Sequence, residues 1–270
     1  MKEIGIEELK QIQLDILLDV HAFCMDNGIE YILTGGTGIG AIRHKGYIPW
    51  DDDIDIAMTR PNYDKFLQSF NGYYKHLEVY APELDWNYYA PYANVCDVRT
   101  IVDEPLIGHN GYQIGIKIDV FPIDGVLNEA EYLTRRKICG KCNYRMGVKR
   151  RKLYEEWKIN KKKCIYYLGL KLLMAFIPYS YFQKKIYREA TKYQFSDAPF
   201  ASPLTFPNSK PLLYRKDWFD NYIDVEFEGK KVRFISRYDD YLKELFGNYM
   251  ELPPEEQRVA HHGFRAYWKE

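Results

Sequence analysis

The sequence predicts an α+β protein with strands and helices in irregular order, a basic helical insertion and a C-terminal α/β extension. Three observations lead there. Apolar residues recur at helical spacing near the start of the chain, residues 88–120 are β-rich, and residues 129–195 read as mainly helical. The 270 residues are expected to form a single domain, with a core over 1–128, a helical subdomain over 129–200 and an extension over 201–270.

Taken in order, Leu9, Ile12, Ile16, Val20 and Phe23 form the stripe of an amphipathic helix. Glu7 and Glu8 suit its N-terminus, and Asn27-Gly28 can end it in a left-handed turn. "IEYILT" reads as a buried strand running into Gly35-Gly36. A second strand, "DIDIAM", ends at Thr59, which can cap a helix with Pro61 in its first turn and Tyr63, Phe66, Leu67 and Phe70 on one face. "YANVCDVRTIV" and "YQIGIKIDVF" are the next two strands, joined by a loop containing Gly108 and Gly111. The Pro and Ser cluster over residues 198–211 marks an internal boundary or loop. "DVEFEGKKVRFI" follows as a hairpin around Glu228-Gly229, then a helix near residues 238–246 and a short one opening at Pro254.

Charge is distributed unevenly along a chain of zero net charge. Residues 1–134 carry 9 Lys/Arg against 22 Asp/Glu, whereas residues 135–163 carry 13 against 2. The acidic body argues against nucleic-acid binding as the main role. No apolar signal-peptide core opens the sequence, so a cytoplasmic protein is expected. The five cysteines are odd in number and fit reduced thiols; Cys139 and Cys142 have metal-ligand spacing but no second pair follows. "IYYLGLKLLMAFIP" is too short to cross a bilayer, and a buried helix is expected there, with an anionic membrane surface as the alternative.

The chemistry concentrates in "LTGGTGIGAIRHKGYIPWDDDIDIAM". Gly36, Gly38, Gly40 and Ala41 match the dinucleotide fingerprint by spacing, but no long helix follows and Pro49 intervenes, so that reading fails. The other reading makes the glycines a turn whose backbone N–H groups approach a phosphate at the start of a short helix. Arg43, His44 and Lys45 lie just beyond. Alone, such a triplet is solvated surface; beside the glycines and aspartates it reads as an anion site. On a strand Asp51, Asp53 and Asp55 share one face, with α-carbons of successive members about 6–7 Å apart. Carboxylates that close on a half-buried strand need a cation or hydrogen bonds, and Mg2+ suits them. In "QIGIKIDVFPID" the apolar face is Ile114, Ile116, Ile118 and Val120, with Lys117 and Asp119 on the other, so Asp119 is either the third carboxylate or a strand-end hydrogen-bond residue; Asp124 reads as a turn residue.

Gly35-Gly36-Thr37, residues 43–56 ("RHKGYIPWDDDIDI"), Ile118-Asp-Val-Phe-Pro122 and residues 249–258 with His261-His262 resemble the LicD family of phosphotransferases, over residues 20–265. The resemblance implies a single catalytic domain with a nucleotidyltransferase-like mixed sheet flanked by helices, in which Asp53, Asp55 and Asp119 are the catalytic metal triad for Mg2+, with Mn2+ as an alternative. It implies transfer of phosphocholine, or of an alditol phosphate, from a CDP-activated donor, CDP-choline first, to a hydroxyl of a cell-surface glycan, with CMP leaving. Gly35, Gly36, Thr37, Arg43, His44 and Lys45 would then hold the donor phosphates, and Asp119 or a water would take the acceptor proton. His261 and His262 either contact phosphate or acceptor or are structural. The family has two bulky aliphatics after the Gly-Gly-Thr where this chain has Gly38 and Ile39, which bears on the shape of the donor pocket. Two other functions stay open: NMP transfer from an NTP, and non-enzymatic binding of glycan or nucleotide. If the acceptor is lipid-linked, residues 135–182 are expected to contact an anionic membrane peripherally at its inner face.

Overall fold

Strand β1 (Lys2–Ile4) leads into helix α1 (Ile6–Asp26), whose five stripe residues are all buried. The helix stops at Asn27, and Gly28 turns the chain with φ +59°. A computed structural model describes residues 1–207, 210–258 and 263–270. His261 and His262 lie outside the described residues.

After α1 the chain runs through β2 (Ile32–Leu33), α2 (Gly35–Ile39), β3 (Asp55–Thr59), α3 (Arg60–Ser69), β4 (Leu77–Tyr80), β5 (Ala93–Asp97), β6 (Thr100–Asp103) and β7 (Lys117–Val126). One π-helical turn over Gly40–His44 extends α2. Thr59 occupies the cap position of α3, but its hydroxyl accepts from Asn62 Nδ2 at 2.9 Å and caps no backbone N–H.

The main sheet has the order β2-β3-β7-β5-β4 and is mixed: β3 and β7 run parallel, their neighbours antiparallel. Two strands differ from expectation. Residues 92–102 are not one strand, because Asp97 folds the chain over. Its carboxylate accepts from the Arg99 backbone N at 2.9 Å and from Arg99 Nη2 at 2.5 Å, and β6 leaves for a second sheet, in which a strand over Arg265–Trp268 lies between β1 and β6. β7 starts later than Tyr112 and continues through Pro122. On the edge away from β3 its β5 ladder ends at Val120 and a ladder with residues 200–202 begins at Asp124, so the proline falls between partners there and its missing N–H costs little. Asp124 is therefore not a turn residue. It is a buried strand residue whose Oδ1 accepts from Arg60 Nε at 2.6 Å, tying α3 to β7.

The basic segment forms α4 (Glu129–Arg150), α5 (Leu153–Ile159), α6 (Lys161–Leu173) and α7 (Tyr179–Ala190). Asn128 caps α4 by accepting from Glu131 N at 3.0 Å. Cys139, Cys142, Met146, Phe182 and Ile186 make the apolar seam between α4 and α7, so the two cysteines serve packing; all five thiols are free. The expectation of a buried helix over residues 165–178 does not hold. Met174 is buried, but Ile165, Tyr166, Leu168, Leu172, Leu173 and Phe176 are exposed, because α4 and α7 cover each other and leave only one flank for α6. Among the described residues no helix is long and apolar enough to cross a membrane.

The expected boundary over residues 198–211 contains β8 (Phe200–Ser202), which extends the main sheet by pairing with β7 on one edge and with β9 (Tyr214–Arg215) on the other. β10 (Tyr222–Phe227) and β11 (Lys230–Ile235) form the predicted hairpin, with Glu228 and Gly229 at φ +49° and +70° in its turn. Helix α8 (Tyr238–Phe246), a short 3-10 helix over Glu255–Gln257, and β12 (Arg265–Trp268) complete the chain.

Candidate active site

Asp55 is the first residue of β3, and Asp119 stands opposite it on β7. Upstream of the strand the alternation continues: Asp51, Asp53 and Asp55 are half-buried, while Asp52, Ile54 and Ile56 are buried. The Asp119 backbone N–H donates to Ile54 O at 3.0 Å, which extends the strand pairing one residue before β3. Apolar packing on one face thus presents the acids on the other.

The glycine turn is shaped by these acids. Gly35 has φ +57°, and a Cβ there would lie 2.6 Å from Asp55 Oδ2; a Cβ on Gly36 would lie 1.9 Å from Asp51 Oδ2. Only glycine lets two carboxylates come this close to the backbone. Thr34 N donates to Asp55 O at 3.0 Å, and Asp55 N donates to Thr37 Oγ1 at 2.9 Å, so the turn and the strand are tied twice. Thr37 is buried and its hydroxyl serves this tie. Gly38 packs against Leu242 and Phe234, which occupy the space that a bulkier residue would need.

Two residues around Asp119 were not singled out from the sequence. Asn94 Nδ2 donates to Asp119 Oδ1 at 2.5 Å, and Lys117 Nζ pairs with the same oxygen. Asn94 is itself held: its Oδ1 accepts from the Tyr88 hydroxyl and, at 3.0 Å, from the Tyr89 hydroxyl. Asn94 is wholly buried in mid-strand, and these bonds satisfy its amide. Burial, followed by the charges of Asp53 and Asp119, pushes the Asp55 carboxyl well above the ordinary carboxylate range. Burial opposes the charge on Lys117 as well, but Asp119 together with Tyr89 and Tyr92 outweighs it and holds the ammonium well above its usual pKa.

Arg43 comes from the π-helical turn, and its Nη1 donates to the carbonyls of Tyr249 at 2.6 Å and Glu251 at 2.9 Å. Burial and then the nearby Arg258 lower its pKa, so two guanidiniums share this corner. Arg258 also lies over the Trp50 ring, 5.6 Å from its centroid. Burial and Arg43 lower the pKa of His44. Lys45 is exposed, with φ +61°, and its carbonyl accepts from Glu228 N at 2.8 Å.

Three cavities meet at the aspartates. One of about 510 Å3 is lined by Gly35, Gly36, Asp55, Phe121, Phe206 and Tyr241, among others. A second, of about 240 Å3, is lined by Asp53, Lys117, Asp119 and Arg150 with Tyr89 and Tyr92. The third, of about 730 Å3, holds Gly36, Arg43, Trp50, Asp51, Asp53 and Asp55. Asp53 and Asp55 each open into two of them. Thr37, His44 and Lys45 lie outside these linings.

Among the described residues no three His, Cys, Asp or Glu side chains are drawn around a common metal position. The donor set nevertheless fits a hard divalent cation in kind. It offers carboxylate oxygens only, on neighbouring strands, and Asp55 is strained by like charge that a cation relieves.

Residues 28–126, which hold the turn, both acid strands and Asn94, match the family described as LicD/FKTN/FKRP, nucleotidyltransferase domain. Along 271 aligned residues, 99% of each chain, the protein is 31% identical to the lipopolysaccharide cholinephosphotransferase LicD of Haemophilus influenzae. The chain belongs to the LicD family. Shorter similarities fall in uncharacterized proteins of Rickettsia typhi (36% identity, 30% of this chain and 28% of that one) and Rickettsia prowazekii (39% identity, 22% of each). LicD membership makes this chain a transferase of α+β fold.

Proposed function

We propose that the protein moves phosphocholine from CDP-choline to a hydroxyl of a cell-surface glycan and releases CMP. The observation that carries this reading is the position of Asp53, Asp55 and Asp119, whose carboxylates sit where three cavities adjoin. A donor with two ends and a separate acceptor need such a junction. The relative from Haemophilus influenzae is a cholinephosphotransferase by name, which supports the choice of alcohol.

Asp53, Asp55 and Asp119 would hold Mg2+ or Mn2+, and the bound ion supplies charge neutralisation on the donor diphosphate. Asp119 would then release or share its contact with Lys117, which frees an ammonium beside the reacting phosphate. Arg43 is anchored by two carbonyls and offers a fixed guanidinium to the donor phosphates. The glycine turn leaves room for the Asp51 and Asp55 carboxylates against the backbone. Asp119 or a water takes the proton of the acceptor hydroxyl. The aromatic wall of the 510 Å3 cavity, with Phe121, Phe206, Tyr214 and Tyr241, suits a trimethylammonium group better than a polyol.

The test is a donor screen. With Mg2+ and an acceptor glycan, the protein should release CMP from CDP-choline faster than from CDP-alditols. Pyrophosphate released from an NTP would instead mark a nucleotidyltransferase. Nucleotide or glycan binding without metal-dependent turnover would mark a binding protein.

A further inference from the structure

Helices α5 and α6 display an apolar surface that the rest of the described chain leaves uncovered. Tyr154 is 73% exposed, Leu173 79% and Phe176 99%, and Trp157, Ile165 and Leu172 are exposed beside them. Along α6, Ile165, Leu168 and Leu172 recur at three- and four-residue steps, so they form one stripe that continues into Phe176. Isolated exposed apolar residues are ordinary; a run of them on consecutive helices marks a contact surface.

Cations accompany the stripe. Lys158, Lys161, Lys162 and Lys163 are all exposed, with Lys158 Nζ 4.2 Å from the Tyr154 ring centroid and Lys161 Nζ 5.5 Å from that of Trp157. Only Glu155 and Glu156 are acidic in residues 135–185; Glu155 accepts from Lys158 at 3.0 Å and Glu156 is buried in a pair with Arg151, which leaves Lys161, Lys162 and Lys163 to face an anionic partner. Behind the stripe runs a groove of about 670 Å3 between α4, α6 and α7, walled by Leu170, Leu173, Met174 and Phe182, with Lys141 and Arg145 at its rim. An apolar channel with a cationic mouth is complementary to an acyl chain under an anionic headgroup.

We infer that α5, α6 and the turn through Phe176 are a docking surface for an anionic phospholipid bilayer. Leu172, Leu173 and Phe176 enter the headgroup boundary, aromatic residues stand at its edge, and the lysines meet the lipid phosphates. Charge decides for a bilayer over an apolar protein groove, which would leave this many lysines without partners. The assignment is independent of which group the enzyme transfers.

Vesicle co-sedimentation tests it with the full chain. At low salt the protein should pellet with phosphatidylcholine vesicles containing phosphatidylglycerol, should not pellet with phosphatidylcholine alone, and should be released as salt rises. The combined change Lys161→Gln, Lys162→Gln and Lys163→Gln should weaken partitioning about a hundredfold, at about fivefold per lysine. Leu172→Ser with Phe176→Ser should weaken it as well. All five positions are exposed, so thermal melting should stay unchanged and separate lost docking from lost folding. Negligible pelleting with both vesicle types overturns the inference, as does pelleting that neither set of substitutions weakens. Self-association that Leu172→Ser with Phe176→Ser dissolves, without vesicle binding by the unmodified chain, also overturns it and makes the stripe a contact between copies.

Discussion

Asp55 and Asp119 stand in register on adjacent parallel strands, and the ammonium that balances Asp119 comes from Lys117, two residues earlier on its own strand. The acids are therefore grouped by the sheet and not by a flexible loop. Asp53→Asn and Asp55→Asn should abolish turnover and leave the melting temperature equal to or above that of the unmodified protein, since each removes like charge from the group. Turnover and thermal melting, measured together at saturating Mg2+, check this. Near-normal activity in either variant would remove that residue from the site.

The two glycines of the turn should fail differently. In Gly36→Ala the new methyl collides only with the end of the Asp51 side chain, so folding should survive while Asp51 is displaced and activity falls. In Gly35→Ala the methyl meets Asp55 on a backbone at φ +57°, and about 1–2 kcal/mol of stability should be lost too. Urea unfolding beside an activity assay separates the two cases. Equal stability losses would count against it.

Arg43 and Lys45 look equivalent in the sequence and are not equivalent in the fold. Arg43 lines a cavity shared with Asp53 and Asp55; Lys45 does not. Loss of a charge-assisted hydrogen bond costs about 1.5–3 kcal/mol, so Arg43→Ala should weaken donor binding about tenfold or more. Lys45→Ala should change it little. Titration calorimetry with CDP-choline gives both numbers, and unchanged affinity for Arg43→Ala would return that residue to the surface.

His21 and His44 should each cost stability on mild acidification, opposite in sign to Asp55, whose protonation favours the fold. Burial lowers the pKa of His21, with Asp224 opposing, and His44 is lowered by burial and Arg43. In the unfolded chain a histidine takes its proton near pH 6.5, about where the folded protein still resists. At these two histidines the unfolded state thus binds protons first, and their contribution is lost as pH falls through about 6.5. Melting temperatures measured from neutral pH down to mildly acidic pH, compared between the unmodified protein and His21→Gln, should show the variant losing less. An unchanged slope in that variant would clear His21 of the role.

Much of this was legible from period and residue type. The α1 stripe, the hairpin at Glu228-Gly229, the α8 span and the alternation that presents Asp53, Asp55 and Asp119 all depend on local spacing, which a sequence displays directly. Errors arose where tertiary partners decide. Asp124 looked like a turn residue because its neighbour is Gly125, yet Arg60 from another element lets it be buried. α6 stayed exposed because α4 and α7 occupy each other's apolar faces, whereas the strand at Asp97 broke at a local pairing with Arg99, two residues on. Asn94 and Lys117 entered the site through pairings across β5 and β7 that no local pattern encodes.

The small sheet has β12 in the middle, a strand made later than both of its neighbours, β1 and β6. On a chain emerging from the ribosome, β3 and β7 can pair as soon as residue 126 is out, but β1 and β6 wait for residues 265–268. Until then both carry bare edges, Trp268 has not reached Glu8 with its 2.9 Å hydrogen bond, and the β6 edge is open to wrong pairings. The acid strands can thus pair in a nascent chain whose small sheet is still open, so that sheet closes after the strands of the site have met.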